Sequence, residues 1–174
     1  IILSRPDTGE PLAVMDGRLI TEMRTAAVSA AVTRYVAPVR TPVLALLGSG
    51  VQAAAHLEAL SCVRSFDEVR VWSRSGDRAR RFAEKVNAGG RRIVVCRSAR
   101  EAVEGADVVC TVTASREPVL LGDWIAPGTH VNAVGASLAT SRELDSAAVA
   151  KSPLYVDRRE STLNEGGDFL VPKR

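Results

Sequence analysis

Two short runs offer most of the chemistry in this chain: Gly48-Ser49-Gly50-Val51-Gln52-Ala53 and, further on, Ser73-Arg74-Ser75. The first is a GxGxxA turn. Gly48 permits a tight turn, Gly50 lets backbone approach a pyrophosphate with no Cβ between them, and Ala53 keeps the following helix close to its sheet. A helix opening at such a turn presents unpaired N–H groups and a partial positive charge to phosphates. The bare pattern also fits a glycine turn with no ligand, so its meaning depends on lying between a strand and a helix. The second run bears on which dinucleotide is bound. NAD sites usually place an Asp or Glu at the end of the second strand to accept from the ribose 2′-OH. Here Arg74 stands between two hydroxyls, and Ser73, Arg74 and Ser75 make a charge-assisted cradle for a 2′-phosphate that a carboxylate would repel. Arg78 adds charge one turn on. The competing reading is a solvated basic loop, since Arg80 and Arg81 follow. The expected cofactor is NADPH, with NADH second.

The surrounding pattern supplies the needed context. From Pro42 onward, apolar β-branched runs alternate with helical ones. Strands are expected at Val43–Leu47, Glu68–Trp72, Arg92–Cys96, Val108–Val112, His130–Val134 and Leu154–Val156. Helices are expected at Gln52–Ser61, Asp77–Asn87, Arg100–Glu104 and Arg142–Ala150, with Ser98 and Glu101 forming a capping box. Short uninterrupted strands suit a parallel sheet covered on both faces, and βα alternation implies a doubly wound, Rossmann-type α/β fold reaching to about Asp157. Before it, Ile1–Leu3 and Leu12–Met15 flank Arg5-Pro6-Asp7-Thr8-Gly9, a hairpin signature. An Ala-rich helix follows from about Thr21, a candidate N-cap, to Tyr35, stopped by Pro38. Residues 1–41 are expected to belong to a second unit, and residues 42–174 to the dinucleotide-binding domain.

Composition narrows the function classes. The 174 residues are about one domain's worth, 46% hydrophobic and 25% charged, enough for a real core. A net charge of +3 with few aromatics lacks the basic-aromatic patterning of a nucleic-acid surface. No run is long enough to span a membrane, and no signal peptide is visible. Cys62, Cys96 and Cys110 are odd in number and without CxxC spacing, which reads as three small buried hydrophobes in a reducing, cytoplasmic setting. His56 reads as a packed or surface imidazole, and His130 opens a strand without a nucleophile beside it. Neither joins a metal-ligand cluster, so no metal is expected. Glu143 and Asp145 read as ordinary first-turn acids of a helix. There is no GxSxG elbow and no YxxxK pair.

Taken in order, Met15-Asp16-Gly17, Arg24-Thr25-Ala26-Ala27, the Gly48–Ala53 turn, Val71-Trp72-Ser73-Arg74 and Asn132-Ala133-Val134-Gly135-Ala136-Ser137 resemble the ornithine cyclodeaminase/μ-crystallin family, leaning to its ketimine-reductase branch. The resemblance implies a nicotinamide-dependent reductase delivering hydride to the C=N bond of cyclic ketimines or imino acids, giving L-amino acids. It places Arg24 and Thr25 at the mouth near the nicotinamide, with Arg24 also facing the substrate carboxylate. Ser49, Val51 and Gln52 match the phosphate turn, Ser73, Arg74 and Ser75 the adenosine-phosphate pocket, and Thr113 and Val134 strand ends lining the dinucleotide. At Ser137, cyclodeaminases have an Asp that acts on the substrate's amino group; a neutral Ser suits a reductase. Leu138-Ala139-Thr140-Ser141 departs from the arginine- and aspartate-bearing stretch of μ-crystallins. The alternatives are an NADPH-dependent binding protein for a small acid of the thyroid-hormone type, and a cyclodeaminase lyase recycling NAD internally. Family members are longer at both ends, which makes this chain an expected fragment of a homodimeric protein, with further substrate-binding and catalytic residues before Ile1.

Overall fold

The computed structural model describes residues 1–86 and 92–173. Its main sheet has five parallel strands: β3 (Val43–Leu47), β4 (Glu68–Trp72), β5 (Arg92–Val95), β6 (Val108–Thr111) and β7 (His130–Ala133), in the order β5-β4-β3-β6-β7. β3 is central, with Leu47 level with Trp72 on one side and Thr111 on the other. The chain runs outward through β4 and β5, then returns to β6 and β7. The order therefore reverses between β3 and β6, and the crevice of a doubly wound sheet opens above the C-terminal ends of those two strands.

The central strand β3 is apolar throughout because both of its faces are covered. Leu44, Leu46, Val69, Val71, Val108 and Cys110 pack with Ala53, Leu57 and Leu60 of α2 (Val51–Ser61) and Ala79 and Phe82 of α3 (Gly76–Val86). The alternate positions Ala45, Leu47 and Val109 pack with Ala102 and Val103 of α4 (Ala99–Val103), and with Leu144 and Ala148, the latter on α5 (Ser146–Lys151). The start of α4 follows the sequence signal with one shift. Glu101 N–H donates to Ser98 Oγ at 3.1 Å, but the Glu101 carboxylate accepts from Arg97 N–H, one residue before the cap.

The hairpin forms as expected, β1 (Ile2–Ser4) antiparallel to β2 (Pro11–Val14), in a small sheet of its own. α1 (Arg18–Val36) starts earlier than Thr21. Its N-cap is Gly17, and Asp16 Oδ1 accepts from Arg18 N–H at 2.8 Å, so the Asp16 side chain rather than Thr21 serves the helix start. The helix buries Ala26, Ser29, Ala30 and Thr33, a stripe of small residues at helical spacing that lets it lie close on α2.

Three other expectations change. Leu154–Val156 is exposed and pairs with no described strand; a β-rich run without a ladder partner stays irregular, and the sheet ends at β7. The helix expected from Arg142 begins at Ser146, because Asp145 caps it, accepting from Ala148 N–H at 2.8 Å. Two helices that no periodic pattern marked, α6 (Arg159–Glu165) and α7 (Gly167–Lys173), follow. The expected end of α3 at Asn87 lies outside the described residues. Among the described residues, no helix is long and apolar enough to cross a membrane.

Candidate functional site

The glycine turn follows β3 directly and opens α2. Gly48 has φ +128°, and a Cβ there would stand 2.7 Å from the carbonyl oxygen of Val112, so backbone conformation and close packing both require glycine. Gly50 differs. Its φ is −91°, and a Cβ would meet nothing within 4 Å. The fold itself does not need glycine there; the open space before α2's first turn is what a side chain would fill. No side chain caps that helix, its first turn holds no acid, and Gln52 Oε1 is buried with no partner. A cleft of about 540 Å³ runs from Val51 and Gln52 to the start of α1, lined there by Asp16, Gly17, Arg18, Thr21 and Glu22. The open face at Gly50 and the uncapped helix start, beside this open and shallow cleft, leave space and free N–H donors for a pyrophosphate.

At the end of β4, Ser73 and Ser75 are half-buried and Arg74 is exposed. The four arginines here are not equivalent. Arg80 is paired with Asp77, and Arg81 Nε donates to the Asp77 carbonyl. Arg74 and Arg78 have no carboxylate partner among the described residues. Two guanidinium groups without a carboxylate partner, near two hydroxyls, have the chemistry to hold a phosphate.

Across the switch point, Thr113 follows β6, and Val134 and Ser137 follow β7. Here one sequence reading is corrected. Glu143 is not a first-turn acid of a helix, which begins only at Ser146, but is fully buried, accepting from Thr113 N–H (2.5 Å), Thr113 Oγ–H (2.6 Å) and Gly135 N–H (2.6 Å). Burial pushes its carboxyl above the ordinary range, with these donors pulling the other way. Asp168 lies behind it and accepts from the Glu143 and Leu144 N–H groups at 2.8 and 2.9 Å; burial raises its carboxyl too. Nothing local marks either acid, since a buried acid and a first-turn acid look alike in sequence.

α1 is fastened to this domain by polar contacts. His56 Nε2 lies 3.1 Å from Ser29 Oγ and its Nδ1 lies 2.8 Å from the Gln52 carbonyl, so one ring bridges α1 and the first turn of α2. Thr33 Oγ1 meets His130 Nε2 at 3.1 Å and accepts from Asn132 Nδ2 at 3.0 Å. The Arg64 guanidinium donates to the carbonyls of Thr33, Arg34, Ala37 and Pro38, closing the helix's C-terminal end. Burial holds both imidazoles below their ordinary pKa. Both histidines are therefore packed, hydrogen-bonded groups. Of the cysteines, Cys96 and Cys110 are buried, with burial pushing Cys96 up to about 11, whereas Cys62 is exposed, contrary to the reading of three buried thiols.

Residues 1–173 match the ornithine cyclodeaminase/mu-crystallin family. The chain belongs to that family. It is 49% identical over 171 residues to ketimine reductase mu-crystallin of Rattus norvegicus, covering 98% of this chain and 54% of that protein. It is 36% identical over 174 residues to the Δ1-pyrroline-2-carboxylate reductase of Bacillus cereus, covering 99% and 53%. The solved structure of Thermococcus litoralis Δ1-pyrroline-2-carboxylate reductase in complex with NADH and L-proline superposes with a TM-score of 0.94 at 43% identity, covering 98% of this chain and 53% of that one. The chain thus spans about half the length of the relatives it matches.

The positions suggested by the motifs and the family resemblance fall into four groups. Gly48, Ser49, Gly50, Val51 and Gln52 form the turn, and Ser73, Arg74, Ser75 and Arg78 lie beyond the neighbouring strand. Thr113, Val134 and Ser137 lie on the loops of the other half, Ser137 exposed with its N–H on the Gly135 carbonyl. Arg24 is set apart: it is exposed on α1, with no carboxylate partner among the described residues, while Arg18, Thr21 and Glu22 line the cleft. Thr25 turns its hydroxyl back to the Thr21 carbonyl at 2.7 Å.

Proposed function

We propose that this chain forms the cofactor-binding part of an NADPH-dependent reductase that converts cyclic ketimines, or imino acids more broadly, to L-amino acids. The observation that carries this reading is the phosphate turn at the switch point, with Arg74 and Arg78 left unpaired beyond β4. When bound, the dinucleotide supplies the hydride. The chain's own residues bind and orient it. The open first turn of α2 takes the pyrophosphate, while Ser73, Arg74, Ser75 and Arg78 take the adenosine end with its 2′-phosphate. The Thermococcus relative is described with NADH, so preference for NADPH rests on those arginines. Thr113 and Val134 lie toward the nicotinamide end by strand order, and Ser137 is a neutral neighbour suited to hydride addition rather than to a lyase. Arg24 offers a guanidinium to the substrate carboxylate.

In the same reading, residues 1–41 belong to a substrate and dimerisation unit. Ile2, Leu3, Leu12, Leu19, Ile20 and Met23 are exposed, supporting an apolar surface that another unit covers in a homodimer. The free thiols suit the cytoplasm. The test is NADPH oxidation by the protein that carries this chain, with a cyclic ketimine carboxylate as substrate and NADH for comparison. The expected result is turnover favouring NADPH, with the cyclic L-amino acid as product. Tight NADPH binding without turnover of any cyclic ketimine would support the binding-protein alternative, and ammonia release from ornithine would support a lyase.

A further inference from the structure

Glu143 is buried among donors only. Its two oxygens take two N–H groups and one hydroxyl, and no lysine or arginine forms an ion pair with it among the described residues. An ionised carboxylate has nothing but acceptors to offer, so the match is complete in kind. The fit is also close in space. A Cβ on Gly135 would stand 2.5 Å from the Glu143 carboxylate and would strike the Thr113 carbonyl oxygen. The backbone of Glu143 is held from both sides: its N–H by Asp168, and its carbonyl by the N–H groups of Val119 (2.7 Å) and Leu120 (2.9 Å).

We propose that Glu143 is a positioning residue for the nicotinamide end of the cofactor site: through Thr113 and Gly135 it fixes, relative to one another, the loops that carry Thr113, Val134 and Ser137. Asp168 in turn fixes Glu143. The proposal rests on the dinucleotide reading above. It follows from strand order that the adenosine half lies over β4 and the nicotinamide half over β6 and β7. A change at Glu143 therefore acts on one half of the ligand only.

Glu143→Gln keeps the shape but replaces one acceptor oxygen by a donor, so either Thr113 or Gly135 loses its partner and faces an N–H instead. Wild type and E143Q are titrated with NADPH, following dihydronicotinamide emission, and with adenosine 2′,5′-bisphosphate by calorimetry. The expected result is a roughly ten-fold or greater loss for NADPH, from a lost hydrogen bond to a charged group. The bisphosphate should stay within about two-fold, as for independent distant sites. The emission gain of bound NADPH should also fall, because a loosened loop no longer immobilises the ring. Glu143→Asp, which keeps the charge but shortens the reach, should give the same selective loss; whichever variant unfolds with a normal thermal transition carries the test. Parallel loss of both ligands, or no loss of either, would overturn the proposal. Wild type binding neither ligand would instead overturn the dinucleotide reading on which it stands.

Discussion

Arg74→Ala should separate the two nicotinamide cofactors. Arg74 and Arg78 are uncommitted, while Arg80 is held by Asp77, so removing Arg74 removes one of two cations available to a 2′-phosphate. A charge-assisted hydrogen bond contributes about 1.5–3 kcal/mol when well formed. Arg74 is exposed, and its contribution is screened by water and salt, which places it at the lower end or below. Arg78 compensates in part. The expected loss is about 1–2 kcal/mol, roughly five- to thirty-fold in NADPH affinity, with NADH nearly unaffected because a 2′-OH gives the guanidinium no charge to meet. Fluorescence titrations of wild type and R74A with both cofactors, at low and high salt, measure it. The difference between cofactors should shrink as salt rises. Equal losses for NADPH and NADH, or a loss indifferent to salt, would refute the assignment of Arg74 to the phosphate.

Three other predictions test separate parts of the structure. Gly50→Ala should fold normally, with thermal unfolding within about 2 °C of wild type since its Cβ meets no protein atom, yet bind NADPH roughly ten-fold more weakly or worse because the methyl occupies the phosphate's space. Gly48→Ala should do the opposite: positive φ and collision with the Val112 carbonyl cost about 2–3 kcal/mol, lowering the melting temperature by roughly 5–10 °C. Burial lowers the pKa of His56 and His130 in the folded chain, so the unfolded chain takes those protons first. Stability should therefore be full above about pH 6.5 and fall as pH drops through that value, a decline that denaturant unfolding at several pH values measures and that His56→Gln should reduce.

What sequence reading could reach was set by how local each signal is. The glycine turn was legible as a strand–turn–helix junction because strand, GxGxxA and helix are contiguous, and Gly48 and Gly50 stand where that pattern puts them. The end of β4 was legible for the same reason, although sequence could not say that Asp77 would claim Arg80 and leave Arg74 and Arg78 free. Glu143 was misread because its burial depends on loops after β6 and β7 converging over it, a contact between residues far apart in the chain. Leu154–Val156 failed as a strand because a short run of Leu, Tyr and Val supplies β propensity but no neighbouring ladder. α6 was invisible because it buries none of its residues, so it has no apolar stripe to detect. The start of α1 was displaced because Asp16, outside the helix, accepts from the Arg18 N–H and lets the helix begin a turn before Thr21.

The contacts of His56, Thr33 and Arg64 also decide where this molecule can bend. The ring of His56 holds Ser29 against the helix that begins at the phosphate turn, and Arg64 gathers four carbonyls at the far end of α1. From Ala26 to Pro38 the chain is thus held against α2 and β7, and the stretch from Pro38 to Pro42, at the boundary expected between residues 41 and 42, joins two pieces that are already bolted together. A hinge closing the hairpin side over the phosphate turn has to lie before Ala26, in the exposed first turns of α1 or at Asp16-Gly17. Such a hinge lies before Arg24, so Arg24 and Ser137 both stay with the sheet, and closure would bring the hairpin toward them without changing the distance between the two residues expected to meet the substrate.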